Sequence, residues 1–331
     1  MNQEKICVFT KNWIGDLIMQ TPCFRILKEN FPNVLLVAVV PENSTWITKN
    51  NPFIDEVIIF NEKKQKGIIQ KIKFVLTLKK HNFSKVFLLH RSKTRAFLCL
   101  LAGIPERFGY NTKGRAAFLT KAIKESKQPQ HQTDYFVELL KQSGLDIPKE
   151  YFCEFYPTEE EIVLTEELWK NEGLNSGVKA VALNPGANWA PKRWSPDYFA
   201  ELADRCHEEY GFQVIITGSE SDQVLAEQII DKAQVAKPVS LCGKTNFGVL
   251  GACFERCSLV VSADSGPMHI ASSVGTPVFA LFGPTKSWNT ASRGKGKTVV
   301  MQAEQDDMNN LKPEEVFKRI KEETDKPAFS S

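Results

Sequence analysis

Leu259-Val260-Val261-Ser262-Ala263-Asp264-Ser265-Gly266-Pro267-Met268-His269 is the stretch on which the fold turns. A short apolar run gives way to a polar turn. The turn opens a helical pattern with an early proline, where a missing N–H costs nothing. This reads as a buried strand passing into a helix, the repeating unit of parallel α/β sheets. Backbone N–H groups at such a helix start suit a phosphate, and a glycine such as Gly266, beside Ser265, allows close approach. Asp264 would repel phosphate, so it reads as orienting the loop or binding a sugar or acceptor hydroxyl. His269 reads either as a core histidine facing the sheet or as part of the site.

Outward from this stretch the same alternation fills the chain. Apolar runs at 6–10, 34–40, 57–60 and 85–89, then at 178–183, 213–217, 239–241, 259–262 and 278–282, read as strands. Helical spacing falls at 17–29, 46–50, 67–78, 196–210, 222–233, 247–257, 268–274 and 313–324. A less regular junction lies near 152–172. The pattern predicts an α/β protein of two Rossmann-like domains facing a cleft, one at 1–160 and one at 161–331. The last helix is expected to be able to pack back on the first domain. The start carries no signal-peptide pattern, and no apolar run is long enough to span a bilayer. Eight scattered cysteines form no paired CxxC motif, so reduced thiols, a cytoplasmic location and no metal site are expected.

The net charge of +3 hides an asymmetry. Residues 1–150 hold 24 Lys+Arg against 13 Asp+Glu, net +11; the remainder holds 18 against 26, net −8. The basic residues concentrate between Lys63 and Lys127. A basic half suggests an anionic partner, whether nucleic acid, a membrane surface or an anionic substrate, or else a solvated lysine-rich helix. No RRM, helix-turn-helix or zinc-finger pattern supports nucleic acid.

In open α/β sheets ligands sit beyond the carboxyl ends of strands. After the first strand comes Lys11-Asn12-Trp13-Ile14-Gly15-Asp16, with one glycine and so no GxGxxG dinucleotide fingerprint. Asp16 is either a general base or a carboxylate favoured by a helix dipole. The loop Asn184-Pro185-Gly186-Ala187-Asn188-Trp189-Ala190-Pro191-Lys192-Arg193-Trp194-Ser195-Pro196 offers two adjacent cations suited to a diphosphate. Trp194 reads as core, and Ser195-Pro196 as a helix cap. In Thr217-Gly218-Ser219-Glu220-Ser221-Asp222, Glu220 is placed to accept from ribose hydroxyls, while Ser221 and Asp222 read as caps. No P-loop, no GxSxG elbow and no DxD-type pair occurs. A leaving diphosphate would then be neutralised by cations and helix amides, without a metal or other cofactor.

Taken in order, these motifs resemble the lipopolysaccharide heptosyltransferases of glycosyltransferase family 9. The likeness is carried by Trp13-Ile14-Gly15-Asp16 with Thr21-Pro22, and by Gly103-Ile104-Pro105-Glu106-Arg107-Phe108-Gly109-Tyr110. In the second half it is carried by Asn184 to Ala187 with Pro191 to Trp194, then Thr217 to Glu220, Asp264 to His269, and Leu281-Phe282-Gly283-Pro284-Thr285. It runs over about residues 5–290. It implies an inverting enzyme with the GT-B fold that moves heptose from ADP-heptose to the lipopolysaccharide inner core.

On that resemblance Asp16 is the base, and Lys192 binds the donor phosphates and offsets leaving-group charge. Glu220 binds ribose, Thr245 lies by the adenine, and Asp264 contacts the donor sugar. Ser265, Gly266 and His269 serve the diphosphate end, with Asn184, Gly186 and Arg193 counted among the donor-binding residues. The acceptor, an anionic glycolipid, would meet Lys11, Trp13, Arg91, Lys93, Arg95, Arg107, Lys113 and Arg115, in peripheral contact with the cytoplasmic face of the inner membrane. The loop at 192–196 and the turn at 107–110 look more like type II enzymes, which act on heptosyl-Kdo2-lipid A, than type I, which act on Kdo2-lipid A. Three readings stand beside this one: a heptosyltransferase I acting on Kdo2-lipid A, a GT-B transferase with another nucleotide-sugar donor, and a non-catalytic nucleotide-sugar-binding protein.

Overall fold

The computed structural model describes residues 3–60 and 67–326. Lys63, Lys64 and Lys66, at the head of the basic stretch, lie outside them. The chain divides into two units, Met1–Cys153 and Glu154–Ser331.

In the first unit the strands are β1 (Lys5–Phe9), β2 (Leu35–Val40), β3 (Glu56–Ile59), β4 (Lys85–Leu88), β5 (Glu106–Tyr110) and β6 (Lys121–Ile123). The helices are α1 (Ile14–Ile18), α2 (Thr21–Asn30), α3 (Thr45–Thr48), α4 (Ile68–His81), α5 (Lys93–Leu101) and α6 (Gln132–Gln142). All the strands pair in parallel, in the order β3-β2-β1-β4-β5-β6. The single helix expected at 17–29 is two. Pro22 has no N–H to continue a helix, so α1 stops and α2 restarts after its N-cap Gln20. Asp16 therefore stands in the first turn of a five-residue helix rather than at the head of a long one.

The second unit contains, in chain order, α7 (Glu159–Asn171), β7 (Ala180–Asn184), α8 (Pro196–Tyr210), β8 (Gln213–Ile216), α9 (Gln223–Lys232), β9 (Val239–Ser240) and α10 (Phe247–Glu255). It continues with β10 (Cys257–Ala263), α11 (Gly266–Ser273), β11 (Val278–Phe282), α12 (Ser287–Thr290), β12 (Thr298–Gln302) and α13 (Pro313–Thr324). Its order, β12-β11-β10-β7-β8-β9, is again parallel throughout and has the same winding as the first. Strands such as β7 and β11, buried at every residue, are the near-continuous apolar runs that two covered faces require. One core gathers Phe74, Leu78, Val86 and Cys99 in the first unit; another gathers Val181, Trp194, Phe199 and Phe279 in the second.

The expected domain boundary differs from the division seen in the structure. A boundary at 160/161 would cut α7, which a Thr158–Glu161 capping box starts and which packs on α10, Thr165 Oγ1 donating to Val249 O at 3.2 Å. The division falls before α7 instead. The last helix packs on α8 of its own unit. Its Val316 and Ile320 enter the second core, and Tyr210 Oη lies 3.0 Å from Thr324 Oγ1. Among the described residues all eight cysteines are buried thiols, and no helix is long and apolar enough to cross a membrane.

Candidate active site

Both sheets reverse their winding between the first and fourth strand of the unit, β1/β4 and β7/β10. That is where an open sheet leaves a crevice at its carboxyl edge. Many of the candidates stand after these four strands, while Glu220 follows β8, Thr245 follows β9, and Lys113 and Arg115 follow β5.

In the second unit, Asn184 ends β7 and Asp264 follows β10. Asp264 is 8% exposed, and its Oδ2 accepts from Lys192 Nζ and from Thr285 Oγ1, each at 2.7 Å. Lys192 thus arrives from the long loop and Thr285 from the end of β11, on one carboxylate oxygen. Asn184 Nδ2 donates to Ser265 Oγ at 3.1 Å, and Asn184 Oδ1 accepts from Thr217 Oγ1 at 3.3 Å. Ser265 is the N-cap residue of α11, yet it makes no side-chain cap bond. Asn184 holds its hydroxyl instead, so the first turn of α11 is not closed by its own cap and presents N–H groups beside a lysine. His269 is buried in that helix.

Two of the predicted donor residues do other work. Arg193 Nε donates to Ala187 O at 2.9 Å and so closes its own loop. Gly186 makes room for Asp222: an added Cβ would fall 2.6 Å from Asp222 Oδ2. Asp222 in turn caps the turn after β8, accepting from Ser219 N at 2.8 Å; Ser221, expected as a cap, only meets the Ser219 hydroxyl, at 2.9 Å. Glu220 is exposed on this turn. Gly243, at φ +72°, brings the turn against the loop that carries the half-buried Thr245, with Gly243 N donating to Gly218 O at 3.0 Å.

In the first unit, Asp16 is half-buried with Lys11 Nζ 3.7 Å from its Oδ1. Burial pushes its carboxyl above the ordinary value of 3.8, while Lys11 and then Arg91 pull it partway back. Lys11 also lies over the Phe136 ring. Trp13, the uncapped N-cap residue of α1, is 74% exposed beside this pair. Arg91 is partly exposed; Nε donates to Tyr135 Oη at 2.7 Å, and a terminal nitrogen pairs with Glu125 at 2.6 Å. Lys93 and Lys113 are exposed.

Three arginines expected at the acceptor are structural. Arg95 is buried, donating to Thr10 O at 2.8 Å and Asn12 Oδ1 at 2.9 Å, so it positions the loop that delivers Asp16. Arg115 is buried, ties Tyr110 O at 2.7 Å and also bonds His90 O, joining the ends of β4 and β5; burial pushes it down to about 10. Arg107 lies near the amino end of β5, the wrong edge of a parallel sheet for a ligand, and donates to Phe118 O at 2.8 Å. Their charge and their place in the chain point to a ligand role. A planar fork that satisfies backbone carbonyls looks the same in sequence as one awaiting an anion. Arg115→Met is expected to lower stability by about 2–4 kcal/mol, since two buried carbonyls lose a charged donor. Urea unfolding tests this, and a variant of unchanged stability with a weakened acceptor KM would restore the binding role.

Sequence reasoning also missed residues. His90, directly after β4, accepts from Ser92 N at 3.0 Å through Nδ1, which leaves Nε2 to carry the proton. Burial, then Arg95, Lys11 and other cations, push it down to about 3, so it is neutral. Thr285 was quoted only as part of a motif; its role appears once β11 is laid beside β10. Among the described residues no three His, Cys, Asp or Glu side chains form a metal-holding group.

Residues 72–321 match the family Glycosyltransferase family 9 (heptosyltransferase). The chain belongs to that family. This family-9 glycosyltransferase is 30% identical over 290 residues to lipopolysaccharide heptosyltransferase 3 of Escherichia coli K12, covering 82% of this chain and 80% of the relative. It is also 30% identical over 291 residues to lipooligosaccharide heptosyltransferase 2 of Campylobacter jejuni serotype O:6, covering 87% and 84%. In fold it is similar to the solved E. coli ADP-heptose lps heptosyltransferase II, with a TM-score of 0.81 at 23% identity over 96% of this chain and 98% of the other. The fold of the family-9 chain is GT-B. Asp16 lies before the family match.

Proposed function

We propose that this glycosyltransferase moves L-glycero-D-manno-heptose from ADP-heptose to the heptosylated inner core of lipopolysaccharide, the type II reaction, by inversion. The observation that carries it is Lys192 held at Asp264 beside the open first turn of α11, at the winding switch of the second sheet. A diphosphate there would meet a cation and helix amides, with no metal required. Asp264 keeps Thr285 as a partner when Lys192 turns to phosphate, which supports its place at the donor sugar. Glu220 and Thr245, on loops that Gly243 brings together, suit the ribose and the base.

Asp16 takes the proton from the acceptor hydroxyl as that oxygen attacks the anomeric carbon. The bond to the phosphate oxygen breaks, and ADP leaves with the electron pair, its charge met by Lys192 and the α11 amides. A carboxyl whose burial raises its proton affinity is a better base than an exposed one. Lys11, Trp13 and Arg91 lie on the same edge of the first sheet and suit an anionic sugar. The acceptor reading places the enzyme in the cytoplasm against the inner membrane. A second reading, transfer to a later core heptose, is favoured by the relative named heptosyltransferase 3.

ADP release from ADP-heptose, with Kdo2-lipid A, heptosyl-Kdo2-lipid A or a longer core as acceptor, tests both. Release that depends on heptosyl-Kdo2-lipid A and survives EDTA is expected. Turnover only with a longer core would move the assignment to the second reading, and turnover with no heptosyl acceptor would sink it.

A further inference from the structure

α4 is amphipathic twice over. Phe74 and Leu78 face the core, while Ile68, Ile69, Ile72 and Leu76 are exposed at 72%, 63%, 53% and 57%. At 100° per residue these four fall within one quadrant or so of the helix surface, opposite the buried pair. Lys73 and Lys80 flank them on one side, and Lys79 stands among them on the other; all three are exposed. An apolar stripe of this kind on a soluble domain marks a contact surface rather than ordinary surface scatter.

The adjoining helix extends it. α5 packs beside α4 on the same face of the sheet and exposes Phe97 and Leu101 on its outer side. The two helices and the segment between them carry charge of one sign: residues 68–101 hold eight Lys and Arg and no Asp or Glu. Helix α4 follows β3 and α5 follows β4, so both begin at the carboxyl edge of the sheet, the edge at which Asp16 and Lys11 stand.

We infer that the outer face of α4, continued by α5, docks on the surface of an anionic lipid bilayer. Apolar side chains flanked by lysines suit an interface of acyl chains and anionic headgroups, and the missing carboxylates remove the repulsion such a surface would otherwise meet. A protein partner would find no acidic–basic pattern to register against on this face. The inference rests on the lipid-acceptor reading and names the surface that would bring Asp16 to a membrane-held acceptor.

The test is co-sedimentation of the full chain with vesicles of phosphatidylethanolamine and phosphatidylglycerol, against vesicles of phosphatidylcholine alone. Binding to the anionic vesicles is expected, falling as salt rises. Ile68→Gln/Ile72→Gln/Leu76→Gln is expected to weaken it at least about ten-fold, and Lys73→Gln/Lys80→Gln several-fold, with unchanged melting temperatures because these side chains are exposed. Transfer to a detergent-dispersed acceptor should be retained in both variants. The inference is overturned if the wild type prefers neither vesicle, if both variants bind as well as the wild type, or if the stripe holds a dimer that the triple variant splits. Vesicle binding without transfer to any heptosyl acceptor would instead count against the proposed reaction, so the two failures are separable.

Discussion

Asp16→Asn is expected to lower kcat by about 10²–10⁴-fold, the contribution of a positioned general base, with a melting temperature within about 2 °C of the wild type. The two expectations share one cause. Burial disfavours the Asp16 carboxylate, and Lys11 at 3.7 Å with Arg91 only partly offsets this, so the folded carboxyl holds its proton more tightly than the unfolded one. Ionising it therefore costs stability as pH rises from the ordinary value of 3.8 through the raised folded value, and above that window the cost is constant. An amide removes the cost along with the base. The same shift moves the acid limb of the wild-type kcat/KM profile upward from the ordinary aspartate value of 3.8. A variant retaining more than about a tenth of wild-type turnover would remove Asp16 from the chemistry.

Lys192→Ala is expected to lower kcat/KM by about 10²–10³-fold, as for loss of one group that meets charge developing on a leaving group. It should also cost roughly 1–3 kcal/mol of stability, because Asp264, 8% exposed, is left with Thr285 and no cation. Asp264→Asn placed in the same chain separates the two effects. The double variant should recover the stability, since no carboxylate is stranded, and should not recover the activity, since no cation meets the diphosphate. Thermal melts of the single and double variants, read beside ADP release, make the comparison. Recovery of activity in the double variant would mean that Lys192 serves only to neutralise Asp264.

Most strands that sequence reading found are buried on both faces, the short edge strands β3 and β9 being the exceptions. β1, β2, β7, β10 and β11 are runs of Val, Ile, Leu, Phe and Ala with little interruption, and period and length suffice to identify them. β5, β6 and β12 escaped it. β5 carries Arg107 and Gly109 inside a strand, β6 spans three residues, and β12 alternates buried with exposed positions in the way an edge strand does. α7 was passed over as an irregular junction, although Thr158 and Glu161 spell its capping box. Helices with distinct ends, such as α8 between the Ser195-Pro196 cap and Gly211 at φ +65°, and α13 after Lys312, were legible to the residue.

Sequence by itself determined the doubly wound fold, its two sheets and the strand ends where chemistry gathers, because apolar periodicity and turn residues are local properties. It also marked Asp16, Lys192, Asp264 and Ser265 as residues standing at those ends. Only the tertiary structure decided what each cation does. Lys192 and Thr285 meet one oxygen of Asp264 across 72 and 21 residues, and Arg95 reaches back 85 residues to Thr10. Whether an arginine or lysine faces an anion, a carbonyl or a buried carboxylate depends on which strand the sheet lays beside it, and that pairing is set by global packing rather than by any neighbour in the chain.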